Sequence, residues 1–247
     1  MRLAVLTDIH ANREALDAVL ADAAARGVDR FVLLGDIVGY GPDPAWCCDR
    51  AMDLVQAGAL CVRGNHDVAA VAGPDAAFSA MARQAIRWTK DRLSPGQQGF
   101  LAGLPLTAEL DDTLFVHASA HAPADWIYVR SAHAAMPSFR VSRARIILCG
   151  HVHRPALYTC DRSGRVTQTS FAFGHPAPLI ASRRWLGVVG SVGQPRDGNP
   201  AAGYALMDTV RGELTFLRVP YDAAETIARL RAAGLPEALA QRLMTGV

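Results

Sequence analysis

The sequence predicts an α/β (α+β) protein in which two mixed sheets pack face to face with helices outside. Three observations lead there. Residues 2–62 alternate strand and helix signals in the order β-α-β-α-β. Residues 106–219 are mostly β, with turn residues between short apolar runs. The chain has 247 residues, 51% of them hydrophobic, which suits one domain with a sizeable core. No internal repeat or linker-like stretch divides it, so a single domain over 1–247 is expected.

The elements follow in order. Residues 2–7 are β-prone and alternate little, as in a parallel strand buried on both faces. Residues 12–26 read as a helix: Leu16, Val19 and Leu20 form its apolar stripe and Gly27 ends it. Asn12 is its N-cap or a site residue. Residues 30–34 are the second strand. Pro44 opens the next helix, with Met52 and Val55 on its buried side and Gly58 as its stop. Residues 59–62 are the third strand, and this order implies right-handed crossovers. Residues 74–104 read as helical, anchored by Met81, Ile86 and Trp88 and punctuated at Pro95-Gly96. They are expected to form a cap-like insertion beside the site. Residues 106–110 and 113–116 read as a hairpin, 145–149 as a strand, and 156–159 and 166–173 as strands around the Ser163-Gly164 turn. Strands over 185–189, 204–208 and 214–219, then helices from about 223 and about 236, complete the chain.

Bulk properties exclude several classes. Lys and Arg total 25 against 23 Asp and Glu, a net charge of +2. No block of like charge stands out, so nothing calls for stable nucleic-acid binding or an anionic membrane. Residues 1–6 are too short for a secretory apolar region, and no stretch approaches a membrane span. Cys47, Cys48, Cys61, Cys149 and Cys160 are odd in number and lack zinc-knuckle spacing. They read as reduced, buried thiols of a cytoplasmic protein.

Five islands carry the chemistry: Asp8-Ile9-His10, Gly35-Asp36, Gly64-Asn65-His66-Asp67, Leu114-Phe115-Val116-His117, and Gly150-His151-Val152-His153. Each directly follows an apolar run that reads as a buried strand, and α/β folds place chemistry at strand ends. Singly each is weak, since Asp-x-His or Gly-Asp also caps helices and turns; the ordered conjunction carries the inference. Carboxylates mixed with imidazoles suit a hydrolytic metal site. Asp8, His10, Asp36, Asn65, His117, His151 and His153 make seven ligands, about right for two divalent ions sharing a bridging carboxylate. Two ions roughly 3.5–4 Å apart clamp the attacking and leaving oxygens of an in-line displacement, and bring a bound water to a pKa of about 7.

In this order the islands resemble the calcineurin-like metallophosphoesterases, over most of the chain. Gly190-Ser191-Val192-Gly193-Gln194-Pro195-Arg196-Asp197-Gly198 resembles the small prokaryotic phosphodiesterase branch, which includes proteins similar to diadenosine tetraphosphate hydrolases. The resemblance implies a four-layer β-sandwich of two mixed sheets flanked by helices. It implies a dinuclear metal-dependent phosphoesterase in which a metal-bridging hydroxide attacks phosphorus. Asp8, His10 and His153 would hold one ion, and Asn65, His117 and His151 the other. Asp36 would bridge, and His66 would protonate or stabilise the leaving oxygen. Manganese is the first expected metal; iron, zinc, nickel or cobalt also suit the ligands.

Substrate contacts are expected from Arg63, whose forked donors suit a phosphate oxygen, from Arg196 unless it pairs with Asp197, and from His121 unless it is a solvated loop residue. Trp126 and Tyr128 either stack on a base or pack in the core. The expected substrate is small and phosphorylated: a nucleotide-type phosphodiester or a dinucleoside polyphosphate. A protein serine/threonine phosphatase and a non-catalytic scaffold are the alternatives. The chain departs from the family pattern at three places. Gly39 stands where many relatives carry an aspartate that orients the histidine corresponding to His66, Ala118 where glycine is usual, and Val188-Val189 where many have Asn-Pro.

Overall fold

In the structure, a computed structural model describing residues 1–247, parallel pairing of the first three strands sets the frame. The elements run β1 (Arg2–Leu6), α1 (Arg13–Ala25), β2 (Arg30–Leu33), α2 (Pro44–Gln56), β3 (Leu60–Cys61), α3 (Asn65–Ala72), α4 (Ala80–Lys90), α5 (Pro95–Gly103), β4 (Thr107–Leu110) and β5 (Thr113–Val116). After a 3-10 turn at Pro123–Asp125 come α6 (Ala132–Val141), β6 (Ile146–Cys149), β7 (Ala156–Cys160), β8 (Val166–Thr169), β9 (Ala177–Pro178), β10 (Arg184–Val188), β11 (Ala202–Asp208), β12 (Glu213–Val219), α7 (Ala223–Ala232) and α8 (Glu237–Thr245). Two six-stranded sheets result, ordered β3-β2-β1-β11-β12-β9 and β4-β5-β6-β10-β7-β8. Both are mixed. β1 pairs parallel to β2 and antiparallel to β11, and β6 pairs parallel to both β5 and β10.

Strand side chains alternate between faces, and here both faces of each sheet are apolar. Leu3, Val5, Val32, Met207 and Phe216 of the first sheet meet Phe115, Ile146, Leu148 and Trp185 of the second, forming the core between sheets. Ala4, Leu6 and Leu33 face outward under Leu16 and Val19 of α1 and Cys47 and Cys48 of α2. Val116, Ile147 and Leu186 face outward under Ala135 and Phe139 of α6. The layers are therefore helix, sheet, sheet, helix, the four-layer sandwich that the sequence led us to expect. A smaller cluster joins Ala82 and Ala85 of α4 to Ile227, Leu230, Leu239 and Leu243 of α7 and α8, with Tyr40 at its edge.

Three elements add detail to the sequence reading. The third island opens a helix: α3 begins at Asn65, and Asp67 caps it by accepting from Gly64 N at 2.9 Å. The segment 74–104 holds two helices, because Ser79 and Ser94 each cap a fresh start. α4 packs on α7 and α8, and α5 on α2 and α3. α6 was not foreseen; Pro137 sits inside it and Ser131 caps it. No helix is long and apolar enough to cross a membrane. All five cysteines are buried and free.

Candidate metal centre and active site

Asp8, Asp36, Asn65, His117 and His151 follow the carboxyl ends of β1, β2, β3, β5 and β6. The first two loops are laced together: Asp8 N donates to Gly35 O at 3.0 Å, His10 N to Asp36 O at 2.9 Å and Ala11 N to Ile37 O at 2.9 Å. Asp8, His10, Asp36, His151 and His153 have φ between 48° and 67°. This left-handed region is uncommon for side-chain-bearing residues and costs about 1–3 kcal/mol each. The strain turns successive side chains toward one point.

Each carboxylate has one oxygen occupied and one free. Asp8 Oδ2 accepts from Thr7 Oγ1 at 3.0 Å and His151 N at 2.9 Å, leaving Oδ1 buried with no hydrogen-bond partner. Asp36 Oδ1 accepts from His66 N at 2.8 Å, leaving Oδ2 toward the histidines. Around Asp8 Oδ1 stand His153 Nε2 at 3.3 Å and His10 Nε2 at 3.8 Å. Asp36 Oδ2 lies 3.7 Å from His10 Nε2 and 3.4 Å from His117 Nε2, so one oxygen faces both groups. His117 Nε2 is in turn 3.1 Å from His151 Nδ1. Asn65 Oδ1 is a second buried oxygen without a partner.

The tautomers explain why these atoms need cations. His10 Nδ1 faces Val38 O at 3.3 Å, His117 Nδ1 faces Leu34 O at 2.8 Å, and His153 Nδ1 faces Gln194 O at 2.6 Å. A carbonyl only accepts, so each Nδ1 carries a proton, and in the neutral ring each Nε2 presents a lone pair. His10 Nε2 and His153 Nε2 nevertheless approach to 3.2 Å. Two lone pairs that close repel unless a cation sits between them. Burial alone would raise the Asp36 carboxyl, yet the facing His117 and His66 hold it well below the usual range. Burial keeps His10 well below its ordinary value, and brings His151 down to about 3. Burial would also lower His117, but the Asp36 and Asp8 charges raise it to about 9. Asp8, His10 and His153, with Asp36, can hold one divalent ion; Asp36, His117 and His151 can hold another. The donor set fits two hard or borderline cations.

Residues 1–212 match the calcineurin-like phosphoesterase superfamily domain. The chain belongs to that superfamily. It is 33% identical over 253 residues to an uncharacterised protein of Methanocaldococcus jannaschii, covering 99% of this chain and 98% of that one. A metallophosphoesterase from Sphaerobacter thermophilus superposes with a TM-score of 0.88 at 37% identity, over 100% of this chain and 99% of that one. A hypothetical protein from Pyrococcus horikoshii, 21% identical, shares the fold with a TM-score of 0.80, over 100% and 98% of the two chains. This calcineurin-like phosphoesterase is thus a metal-dependent phosphoester hydrolase, of a family that works with two metal ions.

His66 stands beside the shared carboxylate, with a ring nitrogen within 4.8 Å of His10 and Asp36 ligand atoms. Burial lowers it to about 4. No carboxylate orients it. Asp67 points the other way and accepts from the N–H groups of Asp36 at 2.8 Å, Ile37 at 2.9 Å and Val38 at 3.3 Å. The ring is gripped by packing: Tyr40 lies 4.4 Å away and Phe78 5.2 Å away, centroid to centroid. Gly39 completes the slot. A Cβ there would come within 2.5 Å of His66 Nδ1, so the ring occupies room that a side chain at 39 would need.

A cleft of about 510 Å³ opens over Asn65, His66 and His151 in this phosphoesterase. Phe78, Ser79 and Ala82 form one wall, Trp126 and Tyr128 another, and Arg196 and Arg242 a third. Of the expected substrate contacts, Arg196 lines the cleft, and it does not pair with Asp197, which is bound to Arg218. Arg63 turns away: its Nη1 donates to Ala102 O at 3.3 Å at the end of α5. His121 is exposed and lies outside the cleft lining. Tyr128 is partly exposed at the cleft rather than packed in the core; His151 stacks on its ring at 4.0 Å and the Arg130 guanidinium sits 4.0 Å from it. Asn12 is the α1 N-cap, accepting from Ala15 N at 3.1 Å. Sequence reasoning missed Phe78 and Arg242, which come from elements far along the chain and carry no local signal.

Proposed function

We propose that this phosphoesterase cleaves a small nucleotide-type phosphodiester or a dinucleoside polyphosphate. The supporting observation is the cleft itself, which sets an arginine wall and two aromatic side chains, Phe78 and Trp126, directly over the ligand clusters. A volume of about 510 Å³ suits a nucleotide-sized ligand. A phosphorylated protein loop would need a more open surface, and the balanced charge argues against a bound nucleic-acid strand.

Asp8, His10, Asp36 and His153 would hold one divalent ion, and Asn65, His117, His151 and Asp36 the second, manganese being the first candidate. When bound, the ions supply charge neutralisation and an acidified water for in-line displacement. Asp36 keeps the two clusters in register, because its Oδ2 serves both while its Oδ1 is tied to the α3 backbone. Asn65 adds a neutral oxygen at the cleft floor. His66 holds an N–H toward the leaving oxygen; lacking a carboxylate partner, it stabilises that oxygen by hydrogen bonding. Ala77, Phe78 and Ala82, from the segment read as a cap, give the cleft apolar surface beside His66. The five buried free thiols suit a reducing compartment such as the cytoplasm.

A panel of aryl phosphates, aryl diesters, dinucleoside polyphosphates, cyclic nucleotides and a phosphopeptide, assayed with added manganese, tests this. The nucleotide diesters or polyphosphates should be cleaved with the highest kcat/KM. A phosphopeptide as best substrate would make the chain a protein phosphatase, and a fully metallated protein inert on every ester would make it a scaffold.

A further inference from the structure

Arg242 lies on α8, beyond the residues that match the superfamily domain, yet it reaches the same cleft as His66 and His151. There it meets Arg196. One neutral oxygen, Gln194 Oε1, accepts from Arg196 Nη2 at 2.7 Å and Nε at 3.2 Å, and from Arg242 Nη1 at 3.4 Å. Neither guanidinium has a carboxylate within 4.0 Å. Asp197, the nearest in sequence, is taken by Arg218. The cleft's own acids, Asp75 and Asp125, are exposed. Two half-buried like charges thus share one amide oxygen, with the Tyr40 ring 5.6 Å from Arg196, an arrangement that an anion would complete.

The pair is also held firmly relative to the metal ligands. Gln194 O accepts from His153 Nδ1 at 2.6 Å, and Gln194 N donates to Ser191 Oγ, which donates to Asp8 O at 2.8 Å. Arg196 N donates to His153 O at 3.1 Å. Gln194 therefore fixes a metal ligand with its backbone and both arginines with its side chain.

Charge decides what the pair receives. Two divalent ions bring four positive charges, of which Asp8 and Asp36 offset two; the remainder suits one phosphoryl group. Two further guanidinium charges are then in excess for a lone monoester or diester. They match a second phosphoryl group, and the forked donors of arginine suit its oxygens.

We propose that Arg196 and Arg242, joined by Gln194, seat a second, non-reacting phosphoryl group, so that the substrate carries one next to the scissile phosphorus. This rests on the proposed function of the same cleft and narrows it from simple diesters to pyrophosphate-linked or polyphosphate esters. Arg242 is then a specificity-determining residue contributed by the C-terminal helix.

The test is calorimetric titration of manganese-loaded protein, at buffered free manganese, with methylenediphosphonate and with inorganic phosphate. Arg242→Ala should weaken methylenediphosphonate binding about 10–100-fold, and phosphate binding less than about threefold. Arg242→Lys should recover part of the loss by restoring charge without the fork. Thermal unfolding and metal content of each variant confirm an intact fold. Equal weakening of both ligands would assign the arginines to the scissile group and overturn the proposal, as would no change in either. The readout needs no turnover. A wild type that cleaves no ester therefore refutes the proposed function alone, while a catalytically active wild type without the selective loss refutes this inference alone.

Discussion

The cluster of Asp8, His10 and His153 is sealed, whereas that of Asn65, His117 and His151 opens on the cleft. In the first, both imidazoles bind backbone carbonyls through Nδ1 and all three residues are at most 2% exposed. It draws on two carboxylates, Asp8 and the shared Asp36. In the second, Asp36 is the only carboxylate, Asn65 is half-buried in the cleft floor, and His151 presents Nδ1 while its Nε2 has no partner. More charge and less solvent favour retention. On the ligand assignment proposed above, the first cluster would hold its ion more firmly, and the second would exchange its ion and meet substrate.

Several measurements would break or sharpen that contrast. Asp36→Asn removes the feature common to both clusters. It should lower kcat by roughly 10³-fold or more, with loss of both ions on elemental analysis; retention of two ions with near-normal turnover would sink the shared-ligand assignment. His66→Gln should lower kcat about 10²–10⁴-fold while leaving both ions bound. Gly39→Ala should disturb the same histidine without touching either cluster, because the new Cβ would lie 2.5 Å from His66 Nδ1 and Gly39 has φ +88°. Its kcat should fall by up to ~10²-fold with metal content unchanged. Asn65→Ala should weaken the second ion alone, by about 10–100-fold, seen as one ion per chain after dialysis; equal loss of both would erase the contrast.

The smallest effect concerns acid and base stability of the metal-free protein. His66 at about 4 and His151 at about 3 are depressed, so the unfolded chain binds protons more readily below pH 6.5. Their contribution is complete above that pH and drains away as pH falls toward 4 and 3. His117, raised to about 9, works oppositely: its contribution is complete below 6.5 and lost as pH climbs toward 9. The Tm of metal-free protein should peak near pH 6.5 and fall more steeply on the acid side. A Tm at pH 8.5 above that at 6.5 would contradict the His117 assignment.

The ligand loops were legible because β1, β2, β5 and β6 are short apolar runs with polar residues directly behind them, and parallel pairing brings their carboxyl ends to one edge. Asp67 was not legible in its role. Adjacent to His66, it turns back to cap α3 and to grip the Asp36 loop, and only a helix starting at Asn65 separates the two directions. α6 escaped notice because Pro137 and four alanines in residues 132–144 blur its periodicity. Tyr128 could be read as a base platform or as core packing; the stack on His151, 23 residues further along the chain, is a contact that no local pattern announces. Arg242 lies 48 residues from Gln194, and no local pattern announces that contact.

Gly64 shows how tightly the islands are keyed to one another. A Cβ on it would lie 2.1 Å from Asp36 Oδ1 and 2.5 Å from Asp36 N. The start of α3 therefore nests against the carboxylate that both clusters share. One methyl group added at a residue with no side chain to offer a metal would displace the same side chain that Asp36→Asn neutralises. The chemistry thus depends on an empty volume as much as on any ligand.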